Sequence, residues 1–494
     1  VTRGSATADL DMGDPDMDEA GSGEGSTARV QLFAFGWALA AWFHLLGNTR
    51  GALDLPHVVL AVAVAAVLLR PGVLGPLLAL AGAGFWTAWE ETPMLSNHWL
   101  LFGFVNLALV VATAGAAIRL RAAPAPERVA RTFFPVARAC LLAFYLFAAF
   151  AKLNSAFFDP AVSCATHFFD QSVRSIGLGG LGLQDVSAVQ WAVIVGTATI
   201  ELAIPFLLMV RRTRPVGVAV AVAFHSVLSI DRSHQFVDFT SLLTVLFLLF
   251  LPPSFADEVV DRARRVWHGA HRRLGVRPAL TAAATAVAVV GLALAAEMGE
   301  PTANASRTLI WWIWQPIAVT VLVLVIGYLR RNAPVRAPAF APLPRWLWVV
   351  PALVVLNSLS PYLELKTAHS GNMYSNLRVV DGESNHFVVR RGLPLTDEHA
   401  ELVRIVSSPH PGLQWYADQD LALTRTQLRS YLADNPDVAF TYVVGSSDPV
   451  TVTRAGDHPD LVEPVPWWRE RLFVFRSVSL TTPEACLPLW GVAR

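Results

Sequence analysis

Lysine is almost missing from this chain. Only Lys152 and Lys366 are amines among 38 basic side chains, and the rest are arginines. A coding bias towards arginine accounts for the trend but not for the two exceptions. Cysteine is also scarce. Three residues, Cys140, Cys164 and Cys486, are too few for a disulfide scaffold or a cysteine-based zinc module. Charge of either sign is thin at 15% of residues, well below the roughly 25% of an ordinary soluble domain. The net charge of zero gives nothing to draw nucleic acid. There is no GxSxG elbow, no glycine-rich phosphate loop, and no HxH or HxxxH pair.

In place of charge there are apolar runs. The chain is 54% hydrophobic, with a mean hydropathy of +0.46. Runs at 30–46, 55–70, 73–90, 98–118, 133–152, 188–210, 215–230, 236–252, 277–296, 308–329 and 345–360 approach the length needed to cross a bilayer. They predict an all-α polytopic membrane domain of about eleven transmembrane helices over 29–360, in the cell membrane. Residues 1–28 (DLDMGDPDMDEAGSGEGST and its flanks) read as a disordered acidic tail rather than a signal peptide. From 361 to 494 polar residues rise and β-type runs appear: HFVVRRG, VAFTYVVG, PVTVTRAG and RLFVFRSVSL. This predicts a small β-rich (α+β) domain with one helix at about 395–407 or 424–434.

Arginine placement orients the whole. The connections 119–138, 211–214 (RRTR), 254–276 (RARR, HRR) and 330–345 are basic, and all fall on one side if eleven spans are counted. That side should be cytoplasmic, with the N-terminus inside and the C-terminal domain outside. The polar residues of the spans then gather at or towards the outer side: His44, Glu90, Glu91, Asn97, His98, Lys152, His225, Asp231, Arg232 and His234. Ionisable residues inside spans are costly and commonly mark function. Each also has a plainer account. His44 suits an interface, Glu90 and Glu91 suit a wet helix end, and the 231–234 turn suits solvent. His225 suits a helix–helix hydrogen bond. Lys152 could snorkel to the interface, but arginine would do that equally well, and only a lysine can turn into a neutral base. A metal site from His44, His98, His225 and His234 has no supporting spacing, so no metal is expected. Cys164 and Cys486 both face an oxidising compartment in this orientation and are candidates for a disulfide.

Three segments carry a family resemblance: SNHWLLFGFVNLAL (96–109), FYLFAAFAKLNSAFFDP (144–160), and ELAIPFLLMVRRTRPVG with FHSVLSIDRSHQFVDFTSLLTVLFLLFLP (201–252). A weaker match is SPYLELKTAHSGNMYSNLRVVDGESNHFVV (360–389). The chain resembles the horizontally transferred transmembrane (HTTM) family, which includes vitamin K-dependent gamma-glutamyl carboxylase. The resemblance implies a membrane enzyme that uses reduced vitamin K or menaquinol, with oxygen and carbon dioxide as co-substrates, to carboxylate a glutamate of a peptide or protein on the outer side. Lys152 would be the base that deprotonates the hydroquinone. His98 and Asn97 would orient or stabilise the oxygen-bearing intermediate, and His225 would line the same pocket, with Trp99, Tyr145 and Phe224 as cofactor-binding aromatics. The outer domain is much smaller than that of the animal carboxylase, so its propeptide-gripping surface is not expected here. The competing expectation is a non-catalytic quinone- or lipid-binding membrane protein whose outer domain recruits a partner.

Overall fold

The computed structural model describes residues 26–49, 54–232, 236–332, 340, 344–480 and 483–486. Most of the expected tail, and His234, lie outside the described residues. Residues 26–28 belong to the first helix: the Ser26 hydroxyl accepts from Arg29 N and caps it.

Every apolar run coincides with a helix. The helices are α1 (Thr27–Gly47), α2 (Leu55–Leu69), α3 (Leu74–Glu91), α4 (Asn97–Leu120), α5 (Pro126–Ala151), the short α6 (Cys164–Ser175), α7 (Ser187–Met209), α8 (Arg214–Leu228), α9 (Val237–Leu248), α10 (Pro253–Leu274), α11 (Pro278–Ala296), α12 (Glu300–Arg331) and α13 (Val349–Leu359). The count of spans needs correcting, however. Among the described residues, six helices (α1, α4, α5, α7, α11 and α12) are long and apolar enough to cross a membrane, not eleven. At 1.5 Å per residue, the 15 residues of α2 or α8 reach only about 22 Å, against roughly 30 Å of hydrocarbon. The eleven-span alternation treated each short helix as a full crossing. The basic stretch 254–276 is also no simple connection, because most of it is α10, whose last turn carries His271, Arg272 and Arg273.

The helices pack around an aromatic column. Trp37 of α1 stacks on Phe102 of α4, Phe102 on Trp99, and Trp99 on His44, with ring centroids 4.7, 4.1 and 3.7 Å apart. The Trp37 indole donates to Asn106 Oδ1 at 2.9 Å, which satisfies the indole N–H. At the start of α1, Thr27 donates to Glu127 at the start of α5. The two helices therefore begin together, and His44 and Lys152 finish at the same end.

Beyond α13, residues 361–394 are mostly irregular and sit on the helix ends. Asn97 Oδ1 accepts from Gly371 N at 2.7 Å, and His369 Nε2 donates to Pro93 O at 2.6 Å. Asn376 joins three segments: it accepts from Cys164 N and donates to Val162 O and Glu484 O. Cys164 and Cys486 form a disulfide beside it, across 322 residues of sequence.

A small hairpin, β1 (Val379–Val380) with β2 (Glu383–Ser384), precedes the C-terminal antiparallel sheet. That sheet has the order β6-β5-β3-β4-β7, from β3 (Leu402–Ser407), β4 (Leu421–Thr424), β5 (Phe440–Val444), β6 (Val450–Val452) and β7 (Val478–Ser479). In β3, Val403 and Ile405 are buried while Arg404 and Val406 are exposed, the alternation of a strand rather than the helix expected over 395–407. The helix offered for 424–434 is present at Arg425–Asp434, started by a Thr424/Gln427 capping box. HFVVRRG is not a strand. The His386 ring accepts from the N–H groups of Val388 and Val389, and Phe387 N donates to Leu153 O, which takes the donors a ladder would need.

Glu484 sits in this junction, its Oε2 3.7 Å from Arg378 Nε. Burial pushes its carboxyl from the ordinary 4.5 up to about 7, against the pull of Arg476 and Arg378. As pH rises from 4.5, the unfolded chain therefore gives up this proton before the folded one does. Stability should fall between about pH 4.5 and 7 and level off above, where the cost is fully present. Thermal melts of Glu484→Gln across that window should lack this component of the decline. An unchanged slope would show that Glu484 is not its source.

Candidate functional site

Lys152 closes α5, and its amine pairs with Glu201 of α7 at 2.7 Å, with both side chains largely buried. The pair stands at the wall of an apolar chamber of about 430 Å³, within the usual size range of a small-molecule site. One face of α5 supplies Phe144, Tyr145, Ala148 and Lys152 at helical spacing. Helix α7 supplies Gly196, Thr197, Ile200 and Glu201, and α8 supplies Phe224, His225 and Val227. Phe239 of α9 and Met373 and Tyr374 of the post-membrane segment close it. Val227 is 60% and Ile176 49% exposed, so the lining runs out to the apolar surface. The Tyr145 hydroxyl and His225 Nε2 lie 3.2 Å apart, while buried His225 Nδ1 has no hydrogen-bond partner.

A second group lies behind Phe239. His44 is held between two carboxylates, with Nδ1 3.1 Å from Asp238 Oδ2 and Nε2 3.0 Å from Glu91 Oε1. His98 Nε2 lies 2.8 Å from the same Asp238 oxygen. The Phe239 ring is 5.6 Å from His98 on one side and 5.2 Å from His225 on the other. His44, His98 and Asp238 are all buried, and one ligand atom from each lies within 4.8 Å of the others. Two imidazoles and a carboxylate so gathered are the donors of a plausible metal site, which overturns the expectation of no metal. Sequence spacing hid the group because its members come from α1, α4 and α9, not from one helix. Nothing in the geometry supports roles for a quinone, oxygen or carbon dioxide.

The residues singled out by sequence thus fall into two places. Lys152, Tyr145, Phe224 and His225 line the chamber. His98 belongs to the second group, Trp99 is fully buried between His44 and Phe102, and Asn97 holds the backbone of Gly371. Cys164 lines the chamber as well as forming the disulfide. Sequence reasoning passed over Glu201, Asp238, His57 and Tyr374. Glu201 and Asp238 carried a signal, as lone acids in the apolar runs 188–210 and 236–252.

Residues 75–254 match the model of the HTTM domain. This segment is an HTTM domain. The HTTM domain is a multi-pass membrane domain, in keeping with the apolar helices, and the match carries no specific link to a vitamin K-dependent carboxylase. No curated protein and no solved structure matches the chain. Lys152, Glu201, His225, His98 and Asp238 lie inside the HTTM domain. His44 precedes it, and Tyr374 and the sheet follow it.

Breaking a buried ion pair by removing one partner strands the other charge, at a cost of about 3–5 kcal/mol. Glu201→Gln should therefore destabilise the purified protein by about that much, and the double variant Lys152→Met/Glu201→Leu should recover most of it. Denaturant melts in detergent measure both, and a silent Glu201→Gln would mean that the pair is not desolvated.

Proposed function

We propose that the chain is a membrane enzyme in which Lys152 and Glu201 accept a proton from a hydrophobic, weakly acidic substrate entering the chamber from the lipid. The observation that supports this most is the Lys152–Glu201 pair at the wall of an apolar chamber. When the proton between them moves to Glu201, Lys152 is left as a neutral amine facing the chamber. That amine can take the substrate's proton, leaving a substrate anion beside an ammonium and a protonated Glu201. A base for a lipid-borne acid belongs in such a dry setting. Tyr145 is within reach as a donor to the substrate's developing charge, and His225 Nδ1 is an open polar contact. Oxidation of a hydroquinone coupled to carboxylation of a peptide glutamate is the narrower form of this reading, and its support is the resemblance of the quoted segments.

The orientation we propose has the N-terminus in the cytoplasm and the C-terminal domain outside, which requires an odd number of the shorter apolar helices to cross beside the six long ones. Two observations support it. Arg29 and Arg138 both reach Leu249 O, Arg264 reaches Gln31 and Arg331 reaches Glu258, so the basic segments gather at the end away from Lys152. The disulfide lies at the other end, where an oxidising compartment suits it. A cytoplasm-dependent fluorescent reporter fused after Arg494 should stay dark, whereas a bright one reverses the orientation.

The proton-transfer reading is tested at Lys152. Lys152→Arg keeps the charge but cannot release its proton at accessible pH. With a lipid-soluble phenol or hydroquinone as probe, it should lose turnover about as fully as Lys152→Ala, by about 10²–10⁴-fold, while remaining folded in the membrane. Near-normal turnover in Lys152→Arg would leave the lysine as a structural partner of Glu201 and end the base mechanism.

A further inference from the structure

We infer that the group behind Phe239 binds one zinc-class divalent ion, held by His44, His98 and Asp238 with Asn48 completing the set. The argument starts from donors and acceptors. Asp238 Oδ2 has three nitrogens around it: His44 Nδ1 at 3.1 Å, His98 Nε2 at 2.8 Å and Asn48 Nδ2 at 2.9 Å. Asn48 Nδ2 is in turn 3.1 Å from His44 Nδ1. If His44 Nδ1 carries the hydrogen that Asp238 accepts, three N–H donors crowd onto one carboxylate oxygen, with two of the nitrogens only 3.1 Å apart. If it does not, the imidazole nitrogen and the carboxylate oxygen face each other as two acceptors. A cation at the centre removes the conflict, since it takes the lone pairs of both. The amide of Asn48 then turns over, placing its oxygen where the nitrogen stands, an exchange that its shape permits.

The surroundings are those of a metal ligand. The other nitrogen of His44 is held by Glu91 at 3.0 and 3.2 Å, the carboxylate–histidine–metal arrangement that fixes the tautomer and orientation of a ligating ring. Trp99 stacks flat on His44 and locks the ring plane. Three of the donors are buried, with His44 2%, Asp238 5% and His98 8% exposed, while Asn48 closes the set from the exposed side. A tetrahedral ion with bonds of about 2.0–2.1 Å separates its donors by roughly 3.3 Å, so the 2.8–3.1 Å contacts of Asp238 and Asn48 need open by a few tenths, and His44 and His98, whose ligand atoms lie within 4.8 Å, complete the set. Nitrogen and oxygen donors without thiolate suit zinc and its first-row neighbours. With four protein donors the site is closed and structural. It ties the outer ends of α1, α4 and α9 together and so sets the position of Phe239, the wall shared with the chamber.

The test uses the full-length chain purified without chelator. Elemental analysis should find about one zinc per chain. Chelator-stripped protein should take up one Co²⁺ and show the visible absorption of a tetrahedral site. His98→Ala should abolish uptake, and Glu91→Gln, which keeps all four donors, should weaken zinc binding by about 10–100-fold in a competition titration. Lys152→Arg should bind zinc as the parent does, so that failure of the metal site and failure of the proton-transfer reading are told apart. If the stripped protein keeps its melting transition yet takes up neither zinc nor cobalt, the group is an ion-pair network alone and the inference is overturned. Equal uptake by His98→Ala and the parent would overturn it as well.

Discussion

A charge among apolar helices has no water to turn to, and pairing is the condition under which it can stay. At the end of the bundle that holds Lys152, the main buried charged groups meet that condition across helices rather than within one. Lys152 of α5 finds Glu201 of α7, and Asp238 of α9 finds His44 of α1 and His98 of α4. The pairs therefore act as cross-ties, and the short α9, at 12 residues, is held by them to the longer α1 and α4. The aromatic column serves the same end: Trp37, Phe102 and Trp99 carry rigid packing from the core up to the ring of His44.

The post-membrane segment completes what the helices begin. Met373 and Tyr374 form part of the chamber wall, and they are placed by anchors on either side: Asn97 on Gly371, and Asn376 with the nearby disulfide. Glu364 holds the next turn, accepting from the N–H groups of Asp381 and Gly382 and bonding His399. The sheet beyond Leu402 packs its own core around Val403, Ile405, Leu423 and Phe440 and contributes nothing to the chamber lining. The part of the C-terminal region that bears on the chamber is thus the irregular part, which no periodicity announces.

This division explains what could be read from sequence. Helix positions were legible because twelve or more apolar residues in a row have few other fates. Their status as spans was not, because 15 residues look much like 20 when loops are unmarked. Strand β3 was misread as a possible helix, although Val403 and Ile405 alternate with Arg404 and Val406. Lys152 stood out through the near absence of lysine, and this is a compositional signal that survives ignorance of the fold. Its partner Glu201 did not, because acids are common in this chain, and one within an apolar run lacks the rarity that marks Lys152. His44 and His98 were visible one by one, but their union through Asp238 is a fact of tertiary packing, and no spacing within one helix encodes it. His386 is a similar case: a run that reads as strand is bent by one imidazole that captures the backbone donors.

The two polar groups divide the labour that sequence assigned to one. Lys152 and His225 line the chamber and His98 does not; its ring packs against Phe239. In the reaction proposed above, stabilising the substrate anion therefore falls to the lining groups. Tyr145 lies three residues, a little under one helical turn, before Ala148 on the face that ends in Lys152, and its hydroxyl already meets His225. A phenol beside an imidazole can donate to an anion while the ring nitrogen takes up the slack. The His44–His98–Asp238 group then acts on the chamber only through position. Any displacement of α9 moves Asp238 and Phe239 together, since they are adjacent in sequence. The position of the chamber wall at Phe239 is thereby tied to the integrity of a group that does not line the chamber.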